Sequence, residues 1–350
     1  MNITFLVGNG FDLNLGLETR YSDFLKGYQN VVTCNRTIDN FKLDIMGDLP
    51  FWSNAELAFG QYTEKFDSAS EFCSCHTNFC EELAIYLDKQ ESRLNFDGLA
   101  KLIPNLFVNS IKAYKNGFRE KQQQEIQTCF DASQGGITYN FISFNYTKTL
   151  DECIKLSNNK PLLGHVTYCR SIYDNSFGSV LHIHGFTDRD MVLGVNDESQ
   201  IANPKLFERT SEEFIGQIIK RETNRLNEEH MDEKCSKLLN ESDLIYVYGM
   251  SIGETDAIWW QRICTILKTR PKVRVILHSF DAPKEGVIRT EFIQHERKMR
   301  EKFVNYSDFS QEIKKSMMNR IHITAANIFE SMNDLVNYKE KKLNELVVTV

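Results

Sequence analysis

A chain of 350 residues, 41% hydrophobic and 25% charged, has the balance of an ordinary globular protein with enough core for one large domain. Its net charge of -7 argues against a broad basic face for gripping nucleic acid, and no apolar run reaches the roughly 20 residues needed to cross a bilayer. Nine scattered cysteines, odd in number, fit reduced thiols in a cytoplasm better than a disulfide framework.

The first element is an apolar strand, Asn2–Val7, which runs straight into Gly8-Asn9-Gly10. It lacks a basic segment and a cleavage site, so it reads as a strand and not as a leader. A strand ending in glycines brings bare backbone N–H groups to the carboxyl edge of a sheet, where an anionic nucleotide can approach closely. Gly16 follows Gly10 by six residues; the dehydrogenase fingerprint wants its third glycine after three, where Leu13 stands. That fingerprint does not apply.

The region 30–135 reads as helical. Ser53-Asn54-Ala55-Glu56 has the form of a capping box before an apolar run. Phe72, His76, Phe79, Leu83 and Tyr86 then recur at helical spacing on one face, Pro104 interrupts, and Leu106, Ile111 and Tyr114 resume. Cys73, Cys75, His76 and Cys80 crowd the same helix, but zinc sites draw ligand pairs from separated segments, so packing is the simpler reading.

Further strands are expected at Thr138–Phe144, Val180–His184, Met191–Val195, Leu244–Tyr248, Lys272–His278 and Arg320–Thr324, with a polar helix over Glu285–Arg300. Their near-continuous apolar character suits a parallel sheet buried on both faces and wound with crossover helices. The expectation is a single domain over 1–350, with a core of 1–29 and 136–350 and a helical insertion at 30–135.

Three later segments could carry chemistry. Asn145 follows the second strand at the carboxyl edge of the sheet, where ligands bind; taken alone, the simpler reading is that it, or Thr147, caps the next helix. In Leu181-His182-Ile183-His184-Gly185 the two histidines fall on one side of a strand, as metal ligands, as a general base with a neighbour, or as satisfied core residues. His165, Asp188, Asp190 and Asp197 could complete a metal site, but their spacing matches no closed motif. Finally, Tyr248-Gly249-Met250-Ser251 leads towards a helix with Trp259 and Trp260, which read as core. Ser251 could bond a phosphate or ribose, and Asp256 could cap the helix or meet a sugar hydroxyl.

In order along the chain, these blocks resemble the bacterial abortive-infection AbiH family. The resemblance rests on Val7-Gly8-Asn9-Gly10-Phe11-Asp12 with Gly16 to Phe24, and on Trp52 with Glu56. It continues through Phe144-Asn145-Tyr146-Thr147, His182-Ile183-His184-Gly185, Leu193 to Asp197, and Tyr248 to Asp256. It implies a role in defence against phage. A more distant resemblance is to sirtuin-type NAD-binding domains, and it implies an α/β, Rossmann-like, mostly parallel wound sheet. On that likeness Gly8, Gly10 and Gly16 form the pyrophosphate loop, Asn145 lies at the nicotinamide ribose, His184 is the catalytic histidine and Ser251 contacts the nucleotide. Asp12 stands where sirtuins have Ser, Thr147 replaces an Asp, and the four-cysteine zinc module is missing, so protein deacylation is not implied.

The expectation is therefore a phage-defence effector that hydrolyses the nicotinamide–ribose bond of NAD or a related nucleotide. His184 and Asn145 are its catalytic residues, and Gly8, Asn9, Gly10, Asp12, Gly16, His182, Gly249, Ser251 and Asp256 bind the nucleotide; no metal is expected. A phage or host protein as trigger and self-association are compatible partners; a membrane is not. Two other readings stay open: a non-catalytic nucleotide sensor, and a metal-dependent nuclease or phosphodiesterase around His182 and His184.

Overall fold

A computed structural model describes residues 1–129, 135–158, 160–207, 216–283 and 289–338. Its strands are β1 (Asn2–Val7), β2 (Thr138–Ser143), β3 (His165–Tyr168), β4 (Ser171–Asp174), β5 (Ser176–His182), β6 (Leu244–Tyr248), β7 (Arg274–His278) and β8 (Ile321–Thr324). Six of them make one all-parallel sheet in the order β5-β2-β1-β6-β7-β8, while β3 and β4 pair as a separate antiparallel hairpin. The chain winds outward from β1 to one side, then returns and winds to the other. The architecture is Rossmann-like, and its strand order reverses between β1 and β6. A crevice at the carboxyl ends of the strands is expected at such a reversal.

Alternation along the strands explains the layering. Ile3, Phe5, Val7, Phe141 and Tyr246 feed one buried cluster together with the helices Ile103–Lys112 and Thr149–Ser157. Leu6, Ile142, Ile245, Val247 and Val275 face the opposite way, towards the helices Met231–Asn240 and Ala257–Thr269, where Trp259 and Trp260 are core residues. Both faces of the sheet are thus covered, as its continuous apolar strands require.

A third cluster is helical. Trp52, Phe59 and Phe79 centre it among the helices Tyr21–Tyr28, Arg36–Gly47, Ala55–Tyr62 and Ala69–Glu91. A helix does begin at Ala55, one residue later than the box places it: Asn54, not Ser53, is the cap, and Glu56 pairs with Lys220 instead of closing the box. Pro104 sits in the first turn of its helix and so opens one, where its missing N–H costs nothing. Only part of the helical region stands apart from the sheet: Ile103, Phe107, Val108 and Ile111 belong to the sheet's own core.

Other expectations need correction. Met191–Val195 is not a strand of the sheet; it forms a lone bridge from Val195 to Ile219. Its apolar residues Leu193 and Val195 are buried against the helical cluster, and a short apolar run cannot tell that fate from a strand. β5 ends at His182, so His184 lies beyond the strand. The β3–β4 hairpin was not anticipated: its residues are largely exposed, and its turn uses Cys169 and Arg170 at positive φ in place of the usual Asn-Gly. The last long helix runs Thr290–Val304; residues 285–288 of its expected span, like 339–350 of the expected domain, lie outside the described residues.

Candidate functional site

The strand register sets the site. Val7 pairs with Ser143 on one side and Tyr248 on the other, so Gly8, Phe144 and Gly249 leave the sheet at one level. There the two glycine turns touch. Gly8 N–H donates to the Tyr248 carbonyl and Gly10 N–H to the Gly249 carbonyl, each at 2.9 Å. A Cβ on Gly10 would overlap Gly249 Cα, and Gly249 itself has φ of +68°. The glycines are thus needed for backbone contact, and the amides expected to be bare are engaged. Gly16, with φ of +93°, packs against Asp334 and Val336 and does not line the cavity below.

Against this seam lies a cavity of about 320 Å³. Gly8, Asn9, Asp12, Asn145, His184, Gly249, Ser251 and Asp256 all line it, so segments far apart in the chain converge there. The helical cluster closes the other side with Asn54, Glu56, Leu83 and Leu87.

Asp12 is fully buried. Thr147 Oγ1 donates to its Oδ2 at 2.7 Å, and Thr149 Oγ1 donates to Oδ1. Burial pushes its pKa up to about 6; the threonine hydroxyls, Asn145 and His182 all work against that rise. Asn145, 5% exposed, caps no helix: the next one begins at Thr149. Neither polar atom of its carboxamide makes a hydrogen bond among the described residues, although the group sits close enough to Asp12 to favour the charged form. A buried amide with unspent donors and acceptors calls for a partner.

The two histidines have different surroundings. His182 does not line the cavity; its Nε2 is 2.8 Å from Asp151 Oδ2 and its Nδ1 is 3.3 Å from the Asn145 carbonyl oxygen, with Phe186 packed on the ring. It steadies the backbone that carries Asn145. His184 does line the cavity, edge-on to Phe144. Burial first, and then the Lys220 ammonium, hold its pKa well below the ordinary value, so the imidazole is neutral near pH 7.

At the far end Lys220 Nζ donates to Glu56 Oε2 at 2.9 Å and to the Thr255 carbonyl at 3.2 Å. Asp256 Oδ1 lies 3.9 Å from the same ammonium and has no hydrogen bond among the described residues; its side chain makes no cap bond to the helix it precedes. Burial raises its pKa to about 6, with Lys220 opposing and Glu56 adding to the rise. Neither Lys220 nor the hydroxyl of Thr149 on Asp12 is marked by the sequence alone. A lone lysine after Ile218-Ile219 carries no local signal, and its role exists only through Glu56, 164 residues away.

The cysteine-rich helix is packing: His76 Nε2 meets the Leu193 carbonyl at 2.8 Å, and Cys73 and Cys75 are buried. Asp188 pairs with Lys148 at 2.6 Å, and Asp197 caps the Ser199 amide at 2.8 Å. Among the described residues no group of three or more His, Cys, Asp or Glu is arranged to hold a metal ion.

Compared with known proteins, residues 4–278 match the family model described as bacteriophage abortive infection AbiH, well over half of the chain. Neither the curated proteins nor the solved structures contain a match.

Proposed function

The chain belongs to the AbiH family of bacteriophage abortive-infection proteins. From that premise we propose that it acts in defence by hydrolysing the bond between nicotinamide and ribose in NAD or a closely related nucleotide. The observation that carries this reading is Asn145: a buried carboxamide, its hydrogen bonds unspent, sharing one cavity with the neutral His184.

Hydrolysis of an N-glycosidic bond passes through a sugar with oxocarbenium-like positive charge, and the departing pyridinium is itself cationic before cleavage. A cavity bordered by Asp12, Glu56 and Asp256, three carboxylates against the one Lys220 ammonium beside Glu56, favours both charges. The Asn145 carboxamide can hold the ribose or the attacking water, with one donor and one acceptor to offer. The neutral His184 can take a proton from water or from a ribose hydroxyl. Water adds to the anomeric carbon as nicotinamide leaves with the bonding pair, and one proton is released.

The test is nicotinamide release from NAD by the purified chain. Asn145→Ala and His184→Ala are each expected to slow it about 100-fold or more, without loss of folded protein. Equal turnover in both variants would overturn the site. If NAD raised the melting temperature and no nicotinamide appeared, the hydrolase reading would give way to a sensor.

A further inference from the structure

A second cavity, of about 960 Å³, opens beyond the seam where Gly10 meets Gly249. It shares Asn9, Gly249, Met250 and Ser251 with the first, so one ligand can run across the seam from one to the other. It lies at the carboxyl ends of β6 and β7, beside the reversal of strand order, where such sheets take ligands.

The two cavities differ in charge. Asp12, Glu56 and Asp256 line the first; behind its wall the Lys220 ammonium offsets one of them, 2.9 Å from Glu56 and 3.9 Å from Asp256, so carboxylates outnumber cations there. The second is lined by Arg20 and Lys302 as well as by Asp281 and Glu330. Carboxylates at close range repel a phosphate in a poorly screened site. A phosphorylated ligand whose sugar enters the first cavity must therefore leave its phosphates at the seam or beyond it. On the far side the rings of Tyr248 and His278 stack at 4.8 Å, and Phe280, 90% exposed, stands at the mouth with its ring face uncovered. An exposed aromatic and a cationic side chain lining one cavity are the groups that hold a base and its phosphates.

We infer that this second cavity binds a nucleoside diphosphate, with Lys302 at the phosphates and Phe280 against the base. The inference rests on the reading that the first cavity takes the nicotinamide ribose, and it makes the preferred substrate a dinucleotide. Nicotinamide mononucleotide, which reaches only the first cavity and the seam, is a poorer one.

The experiment titrates the purified full chain with ADP by calorimetry, for the wild type, Lys302→Glu, Phe280→Ala and Asn145→Ala. Nicotinamide release from NAD and from nicotinamide mononucleotide is measured alongside. ADP is expected to bind the wild type and Asn145→Ala alike, and to bind Lys302→Glu and Phe280→Ala about tenfold more weakly. Both substitutions fall on exposed side chains, so melting temperatures should not move. No ADP binding, or equal binding by all variants, overturns the inference. If the mononucleotide is cleaved as well as NAD while ADP fails to bind, this inference falls and the hydrolase reading stands. If ADP binding depends on Lys302 and no nicotinamide is released, the second site stands and the hydrolase reading falls.

Discussion

Asp12 sits where a carboxylate is costly. Its pKa rises from 3.8 to about 6 on burial, worth about 3 kcal/mol between the protonated and ionised forms. Because the folded value lies above the unfolded one, the group's contribution to stability is fully present below about pH 4 and is lost as pH rises through about 6. Near neutrality the fold keeps a charge there at its own expense, a pattern that clusters at functional sites. Asp12→Asn removes that dependence. The melting temperature of the wild type minus that of Asp12→Asn is expected to grow as pH falls from 7 to 4; a difference that stays level would show that Asp12 is not strained. At this scale the sequence was informative wherever a polar residue interrupted an apolar strand end, as Asn145 and His184 do. It was silent on Lys220, which is defined by distant carboxylates, and left His182 open among several roles, because its partner Asp151 comes from a helix.

The elements that matter most are β1 and β6 and the turns that leave them. Their strands were legible because continuous apolar runs bounded by glycine have few other fates. What the glycines do was not legible. Sequence suggested free amides, whereas Gly8 and Gly10 spend theirs on the Tyr248 and Gly249 carbonyls, and the turns need glycine for the close approach of two backbones. Gly10→Ala should therefore lower unfolding stability in urea by about 3 kcal/mol, at the upper end of overpacking penalties. Gly27→Ala, on a helix with open space around its Cβ, should raise it slightly. A Gly10→Ala protein as stable as the wild type would remove the seam as a constraint. Met191–Val195 was misread at this same scale: the run is apolar because a helical core covers it, and periodicity alone cannot reveal the cover.

At the scale of the whole molecule, a doubly wound sheet presents one edge and a helical cluster closes over it. Glu56 pairs with Lys220, whose ammonium also donates to the Thr255 carbonyl beyond β6, so the cover meets the sheet edge through a buried ion pair at the cavity. The cavity thus exists only when segments spread from Gly8 to Asp256 are assembled. Membership in the AbiH family ties the chain to abortive infection by bacteriophage. The most direct measurement is the NAD content of bacteria expressing the chain, followed with growth, against the same cells expressing equal amounts of Asn145→Ala. NAD is expected to fall before growth stops with the wild type, and to hold steady with Asn145→Ala. Growth arrest at undiminished NAD, or NAD loss undisturbed by Asn145→Ala, would contradict the account.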